Sequence, residues 1–302
     1  AALAAIKEQI NIPLVADVHF DYRLALDVLD MPIDKLRINP GNIGGEEKFS
    51  LVIAKARQKM IPVRLGINAG SLESVILEKW GGPGPEAMAE EAFNYIKIAE
   101  NCSFNDLVIS VKAADVVTCI KAYRLIAEKT GYPLHIGITE AGSFLKGAIK
   151  SAIGLGYLLL EGIGDTLRVS LTGNPVEEIQ VAKDILQGVG IRQFGPEIIS
   201  CPTCGRCGID LISLVKEVEA RVAGIKEPIK IAVMGCAVNG PGEARQADYG
   251  IAGGKGSGLI FKKGVVVKKV PEAKLVDALL EMIAERDRGG RADESCGHNT
   301  SV

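Results

Sequence analysis

The chain has 302 residues, 47% of them hydrophobic and 24% charged, which excludes a largely disordered protein. Its 35 Lys and Arg against 37 Asp and Glu give a net charge of −2, so no nucleic-acid partner is predicted. We find no apolar run near the roughly 20 residues of a membrane span and no signal-peptide pattern at the start, which predicts a cytoplasmic protein without a membrane partner. Seven cysteines in a chain of this size favour metal binding or reactive thiols over a disulfide scaffold.

Short β-rich runs alternate with helical patterns from the start of the chain to about residue 190. Consecutive runs begin 22 to 45 residues apart, the length of a strand plus a crossover helix, which predicts a parallel sheet. The longest gap is assigned to an insertion around Trp80 to Pro85, where Gly and Pro indicate a loop. The predicted strands are Pro13 to His19, Lys35 to Asn39, Pro62 to Asn68, Leu107 to Lys112, Pro133 to Thr139 and Thr166 to Leu171.

The number of strands bears on the fold class. A closed parallel barrel has eight strands, whereas six strands suit an open doubly wound sheet. Because the chain begins directly in an amphipathic helix that leads to the first strand, we predict an α/β fold with a TIM-type parallel barrel, N-terminally truncated, with six of eight strands visible. The open sheet is the alternative.

A second, smaller α/β region follows the predicted barrel. It contains a predicted helix at Leu211 to Val222, a strand at Ile229 to Met234, short strands near Leu259 to Lys269, and a final helix at Glu272 to Arg286. The predicted domains are therefore a substrate-binding partial barrel at 1–192, a cysteine-bearing domain at 193–288 and a flexible tail at 289–302. In the second domain, the Gly-rich segment Gly253 to Gly258 does not match a P-loop and is predicted to form a turn.

Polar residues recur two positions apart in the predicted strands, so they share one face. Most lie at the carboxyl ends of the strands, where barrels and doubly wound sheets place their active sites. Four of them are cations that would converge on one mouth, and burying them without compensation is costly, which predicts a highly anionic ligand such as a diphosphate. The pairs are Asp17 and His19, Arg37 and Asn39, Arg64 and Asn68, Ser110 and Lys112, His135 and Thr139, and Arg168 and Ser170.

A carboxylate follows the fifth predicted strand. Glu140 could act as a general acid or base near the mouth, or be a solvated loop residue. His19 and His135 are weak signals alone, since a histidine in a strand is commonly a hydrogen-bonded core residue.

The cysteines of the second region have the spacing of a metal site. Cys201 and Cys204 form a C-x2-C pair, and Cys236 follows 32 positions after Cys204. The residues leave two assignments open: a zinc site that also uses Cys207, or an iron–sulfur cluster with three cysteines and one other ligand. Glu243, seven residues after Cys236, is an available oxygen ligand, weak enough towards a soft centre to be exchanged. Cys102 and Cys119 are predicted core thiols, and Cys296 lies in the tail.

The motifs together resemble one family. LVADVHFDYR, LRINPGNIG, RLGINAGSLE, SVKAAD, GITEAG, SAIGLG, EGIGDTLRVSL, CPTC and NGPGEA, in this order, resemble the bacterial 4-hydroxy-3-methylbut-2-en-1-yl diphosphate synthase family of the methylerythritol phosphate pathway of isoprenoid and terpenoid biosynthesis. The resemblance covers nearly the whole chain. It implies a TIM barrel followed by a smaller α/β iron–sulfur domain with a 4Fe-4S cluster, and the substrate 2-C-methyl-D-erythritol 2,4-cyclodiphosphate.

The resemblance also implies roles for individual residues. The implied cluster ligands are Cys201, Cys204, Cys236 and Glu243, and the implied acid or base is Glu140. The implied diphosphate contacts are Arg37, Arg64, Lys112, Arg168 and Ser170, and the rest of the pocket is formed by Asp17, His19, Asn39, Asn68 and Asn239. Cys207 is an additional thiol close to the pair, and the role of this residue is left open.

The implied reaction is a reductive ring opening and dehydration of the cyclic diphosphate, with electrons from flavodoxin or ferredoxin and a head-to-tail homodimer as the working unit. Two other classes compete with it. One is a non-redox barrel enzyme for a phosphorylated substrate with a structural zinc domain. The other is an electron-transfer or cluster-carrier protein, which would have no use for the cationic mouth.

Overall fold

The structure is a computed structural model that describes residues 2–236, 242 and 244–293, the last eight of these by their backbone only. It divides into two compact units, Ala1–Arg192 and Gln193–Val302. Within the described residues, no helix combines the length and the apolar character that crossing a membrane requires.

The strands of the first unit run parallel and follow one another in chain order. β1 to β4 form one sheet, β5 pairs with β6, and a bridge between Ile109 and Leu134 connects β4 to the start of β5. The predicted α/β fold with parallel strands is thus confirmed, although no strand pairing joins β6 to β1 among the described residues. The strands are β1 (Val15–Val18), β2 (Lys35–Ile38), β3 (Val63–Asn68), β4 (Leu107–Lys112), β5 (His135–Gly137) and β6 (Thr166–Arg168).

Helices connect these strands. The long gap between β3 and β4 holds two helices: Gly81, with φ of +69°, ends one of them, and Pro85 begins the next. The predicted loop is therefore the turn between two helices. The helices of this unit are α1 (Ala2–Gln9), α2 (Tyr22–Val28), α3 (Glu46–Lys59), α4 (Ser74–Trp80), α5 (Pro85–Asn101), α6 (Val116–Lys129), α7 (Phe144–Leu160) and α8 (Pro175–Gly188).

Strand side chains alternate between two environments. Leu36, Ile38, Leu65 and Ile67 are fully buried in the core that the helices share with one face of the sheet. The intervening positions place their polar side chains on the opposite face. One face of the same strands therefore supplies the hydrophobic stabilisation, and the other is available for a site.

The second unit is a mixed sheet in the order β11, β10, β9, β8, β7, in which β7, β8 and β9 are parallel. Two helices pack on it through side chains such as Val218 and Leu279. The predicted helix at Leu211 to Val222 and the strand ending at Met234 are confirmed. The elements are β7 (Glu197–Ser200), α9 (Leu211–Val222), β8 (Lys230–Met234), β9 (Tyr249–Ala252), β10 (Ser257–Lys262), β11 (Val265–Pro271) and α10 (Leu275–Asp293).

Two features of this unit differ from the prediction. β7 and β9 were not predicted; both are held as strands by pairing with β8, which lies between them in the sheet. The last helix begins after a 3-10 turn at Glu272–Lys274 and runs to Asp293 instead of ending at Arg286. Once a helix is nucleated, each added residue gains a backbone hydrogen bond, so the helix tends to continue beyond the last residue of its apolar pattern.

Candidate active site

Four cations lie on the polar face of the first unit: Arg37, Arg64, Lys112 and Arg168, called here the cationic cup. Strand register sets their places, because Arg37 is paired with Arg64 on the next strand. Lys112 is paired with Asn68 at the end of β3, and Arg168 with Gly137 at the end of β5. The parallel ladders thus bring residues far apart in sequence to one side of the sheets.

Arg37 is the most firmly held member of the cup. Its guanidinium is buried and donates to Asp17 Oδ1 at 2.7 Å, and it lies 2.9 Å from His19 Nε2. A Cβ at Gly66 would lie only 2.5 to 2.9 Å from the guanidinium atoms. Gly66 therefore leaves the space that the side chain of Arg37 occupies.

The electrostatics show that the four cations are close enough to act on one another. Burial, followed by the charges of Arg64, Arg168 and Arg37, lowers the pKa of Lys112 to about 7. The pKa of Arg64 is lowered for the same reasons, first by burial and then by Arg37, while Asp17 opposes the shift. The free cup thus has an excess of positive charge, with Asp17 next to Arg37 and Glu178 at 3.9 Å from Arg168, which favours an anion.

His135 lies beneath the cup on β5. It is buried, Nδ1 lies 2.9 Å from Thr166 Oγ1, and its carbonyl accepts the Tyr123 hydroxyl at 2.7 Å. Burial and then the charges of Lys112 and Arg64 lower its pKa to about 2. The imidazole is therefore neutral near pH 7 and does not supply a proton there as a cation.

The other predicted pocket residues have different exposures. Asn39 is fully buried, and its amide donates to Ser71 Oγ at 2.7 Å. Asn68 and Ser170 are half-buried, and Glu140 is exposed in the loop after β5 with φ of +51°, a left-handed conformation uncommon for a non-glycine residue. Asn39 thus belongs to the wall of the site, while Glu140 is accessible to a ligand.

A buried acid next to this wall was missed in the sequence. Glu91 on α5 is fully buried, and its Oε2 accepts the backbone N–H of Glu73 at 2.8 Å. The available signal was helical periodicity, since Glu91 is four residues from Ala87 and Tyr95, both buried on the same face. Gly66 and Gly137 were also missed. A Cβ at Gly137 would lie 3.1 Å from Lys112 Cε.

The cysteines of the second unit gather at the carboxyl ends of β7 and β8. Cys201 directly follows β7, and its Sγ accepts the N–H of Gly235, the residue before Cys236, at 3.2 Å. The Cys207 Sγ lies 2.6 Å from the position of a Cβ at Gly235. A second link joins Gly208 N–H to Gly235 O at 3.1 Å. The cysteine loop is therefore fastened to the end of β8 around Gly235.

Cys204 is the exposed cysteine of this loop. Hydrogen bonds from Arg206, first of its backbone and then of its side chain, lower the pKa of the Cys204 thiol, which favours the thiolate that metals bind. Within the described residues, no three potential ligand side chains stand together as a preformed metal group. The cysteines nevertheless suit a soft metal centre, because Cys201 and Cys236 follow two adjacent strands at the same edge of the sheet and the Cys201 sulfur already accepts a backbone N–H.

Three predicted residues, Asn239, Glu243 and Cys296, lie outside the described residues. Cys119 is a buried thiol whose pKa burial raises to about 11, consistent with a core residue, and Cys102 is half-buried at the end of α5.

Chemically, the first unit offers an anion site that a diphosphate would fill bidentately through its arginines, together with an exposed carboxylate. The second unit offers a cluster of thiols. These two chemistries are borne by separate units of one chain.

Comparisons with known proteins cover both units. A family model described as the GcpE TIM-barrel domain matches residues 1–183, and the GcpE protein C-terminal domain matches residues 197–285. A solved structure of a 2,3-dimethylmalate lyase has a TM-score of 0.40 at 14% identity, covering 81% of this chain and 84% of that one.

Curated relatives match with high identity. A protein of Clostridium perfringens is 57% identical over 285 residues, which are 93% of this chain and 82% of that protein. A protein of Geobacter sulfurreducens is 57% identical over 279 residues, 92% of this chain and 79% of that protein. Both are named 4-hydroxy-3-methylbut-2-en-1-yl diphosphate synthase (flavodoxin).

Proposed function

The chain belongs to the GcpE family, and from that premise we propose that its cationic cup binds the diphosphate of 2-C-methyl-D-erythritol 2,4-cyclodiphosphate for reductive ring opening. The chain makes 4-hydroxy-3-methylbut-2-en-1-yl diphosphate, the product named in its relatives, and so acts in isoprenoid biosynthesis by the methylerythritol phosphate pathway. It is an iron–sulfur oxidoreductase. The observation that carries the proposal for the cup is the strand register, which places Arg37, Arg64, Lys112 and Arg168 on one face of the parallel strands.

Ring opening converts a cyclic diphosphate into an open one, so negative charge increases on the diphosphate as a C–O bond breaks. The reaction takes up two electrons and one proton and releases water. A preorganised set of cations stabilises that developing charge without having to reorganise. Arg37, fixed by Asp17 and Gly66, supplies the rigid part of this set.

Two groups are proposed to hold or deliver protons in the reaction. Lys112, with a pKa of about 7 in the free cup, regains its proton when an anion binds and then holds it next to the diphosphate. Glu140, exposed beside β5, is the proposed acid or base that delivers the proton to the leaving water. Ser170, Asp17, His19, Asn39 and Asn68 complete the proposed pocket of the first unit, and Asn239 is proposed as a further substrate-binding residue.

The proposed cofactor is a 4Fe-4S cluster held by Cys201, Cys204, Cys236 and Glu243. When bound, such a cluster supplies electrons one at a time, which a two-electron reduction by a one-electron carrier requires. The relatives' names specify flavodoxin as that carrier, and we propose the same donor here, with ferredoxin as an alternative. Cys207, which packs against Gly235, is proposed as a structural thiol and not a ligand.

The quaternary proposal is a head-to-tail homodimer. The zinc-domain alternative is not favoured, because the relatives from Clostridium perfringens and Geobacter sulfurreducens are named as synthases of this pathway. A pure electron carrier is likewise not favoured, since the cup would have no ligand.

The proposal is tested by reconstituting the chain anaerobically with iron and sulfide and supplying the cyclic diphosphate with dithionite or reduced flavodoxin. We expect a brown protein that forms the linear diphosphate and whose electron paramagnetic resonance signal changes when substrate is added. A cluster-loaded chain that binds the cyclic diphosphate but forms no product would contradict the proposed reaction. A loaded chain that fails to bind it would contradict the assignment of the cup.

A further inference from the structure

Behind the wall of the cup lies a buried network that connects Glu91 to Asn68. Glu91 Oε2 accepts the N–H of Glu73, which precedes α4. The turn Ala69–Ser71 lies between Asn68 and Glu73, and Ser71 Oγ donates to Asn68 O at 3.1 Å while accepting from the Asn39 amide. The carboxyl of Glu91 thus holds one end of the segment whose other end is Asn68, opposite Lys112.

Two oxygens of this network have no hydrogen-bond partner among the described residues. They are Glu91 Oε1 and Asn39 Oδ1, both on fully buried side chains. They lie 3.4 and 3.6 Å from one point, the position of a Cβ at Gly41, and Ser71 O is 2.6 Å from that point. Three acceptor oxygens therefore face one small space, and a buried acceptor without a donor costs free energy.

A protonated Glu91 resolves this deficit. A neutral carboxyl carries one O–H, which gives an acceptor such as Asn39 Oδ1 its missing donor, whereas a carboxylate only accepts. The groups that act on Glu91 and its partners are acidic or neutral: Glu73 before α4, Tyr95 one turn along α5, and Glu46 at the start of α3, whose charge acts on Tyr95. Burial raises the pKa of Glu91 to about 7; the hydrogen bond from Glu73 N–H opposes this shift, and the charge of the Glu73 side chain adds to it more weakly. The neutral form is therefore available in the working range of pH.

We infer that Glu91 is a positioning residue of the substrate site: its buried carboxyl, in the protonated form, holds Asn39 and the segment from Asn68 to Glu73, and with them the wall of the cup beside Lys112. This inference rests on the proposed function of the cup. It adds a residue that contacts neither the substrate nor the cysteines. Loss of the proton would place a charge next to two acceptor oxygens and loosen that wall.

The chain offers two informative substitutions and a matched control. Glu91→Gln keeps an acceptor for Glu73 N–H and supplies a permanent N–H donor, so it imitates the protonated acid at every pH. Glu91→Leu removes both functions. Glu90→Gln is the control, because Glu90 is the neighbouring acid on the same helix but bonds on the surface to Lys79 and Trp80.

The measurement is the affinity for the cyclic diphosphate, by calorimetry, at about pH 6 and about pH 9. At the lower pH we expect Glu91→Gln to bind like the parent chain and Glu91→Leu about tenfold more weakly, equivalent to roughly 1.4 kcal/mol. At the higher pH we expect Glu91→Gln to bind more tightly than the parent by about threefold, while Glu90→Gln follows the parent throughout.

The possible outcomes distinguish the positioning role of Glu91 from the proposed function of the cup. A Glu91→Gln chain whose affinity follows the parent at both pH values overturns the inference, and it does so even if Glu91→Leu does not fold. A folded Glu91→Leu chain that binds like the parent overturns it as well. A parent chain that binds no cyclic diphosphate at either pH contradicts the proposed function itself.

Discussion

The two units of the chain prepare their sites in different ways. In the first, strand register and buried contacts place the cations before any ligand arrives, as with Arg37 between Asp17 and Gly66. In the second, the cysteine loop is fastened at Gly235 through Cys201, while Cys204 stays exposed. A charged recognition site needs a rigid frame to hold like charges together, whereas thiolates can be gathered by the metal that they bind.

The contrast between the two units predicts that the largest effect comes from substituting a cysteine ligand in the second unit. Cys236→Ser removes a proposed ligand and is expected to abolish the cluster, because a hydroxyl is a poor ligand for a soft centre. Iron content and visible absorption after anaerobic reconstitution measure this. Cys207→Ser is the matched control and should retain the cluster, since Cys207 packs against Gly235. Loss of iron in Cys207→Ser together with its retention in Cys236→Ser would reverse the ligand assignment.

The next effect concerns the rigidity of the cup. Gly66→Ala would place a methyl group within 2.9 Å of the Arg37 guanidinium and force it from its place. We expect the affinity for the cyclic diphosphate to fall by about ten- to a hundredfold, roughly 1.4 to 2.7 kcal/mol. Gly131→Ala, at a position with open space around it, is the control and should bind normally. Unchanged affinity in Gly66→Ala would show that Arg37 need not be fixed.

A third effect follows from the lowered pKa of Lys112. The folded chain without ligand holds fewer protons than the unfolded chain between about pH 7 and the usual lysine pKa of 10.5, so its free energy of unfolding rises with pH over that window. Binding of the diphosphate raises this pKa again. Calorimetry near pH 8 in buffers of different ionisation enthalpy should show uptake of about one proton.

Lys112→Arg tests whether Lys112 is the group that takes up the proton, because an arginine stays charged before and after binding. The variant should bind without proton uptake. If the parent chain shows no dependence on the buffer, or Lys112→Arg shows the same uptake, Lys112 is not the group that titrates.

The smallest expected effect is at the outer edge of the cup. Arg168 is half exposed, and its Nε lies 3.9 Å from Glu178 Oε2, a long and solvated ion pair. Glu178→Gln keeps an acceptor for Leu171 N–H, and we expect the diphosphate affinity to change by less than about threefold. A loss as large as that of Gly66→Ala would show that Arg168 is fixed as firmly as Arg37, and the contrast within the cup would disappear.

The sequence predicts those parts of the site that depend on the alternation of strand side chains between two faces. Arg37, Arg64 and Lys112 could be placed on one face because strand side chains alternate and parallel strands end at a common edge. The C-x2-C spacing likewise predicts that Cys201 and Cys204 share one metal centre, and this stays a prediction. These are local rules, so they hold without knowledge of the tertiary structure.

What could not be predicted depends on contacts between elements. Helical periodicity places Glu91 on the buried face of α5, but its partner, the N–H of Glu73, follows only from the packing of α5 against the segment before α4. Similarly, the sequence does not distinguish Gly66 from other strand glycines, because its role depends on the Arg37 guanidinium that packs against it from the neighbouring strand. The short strands β7 and β9 are held by their neighbours in the sheet, and their own sequences carry little signal.

The central claim is that the cup is ready for a diphosphate before any cluster is present. Titration of the cyclic diphosphate into the metal-free chain, beside an Arg64→Ala chain of equal helix content, tests it most directly. We expect the metal-free parent to bind one equivalent and Arg64→Ala to bind at least about tenfold more weakly. A folded parent chain that binds only after reconstitution with iron and sulfide would contradict the claim.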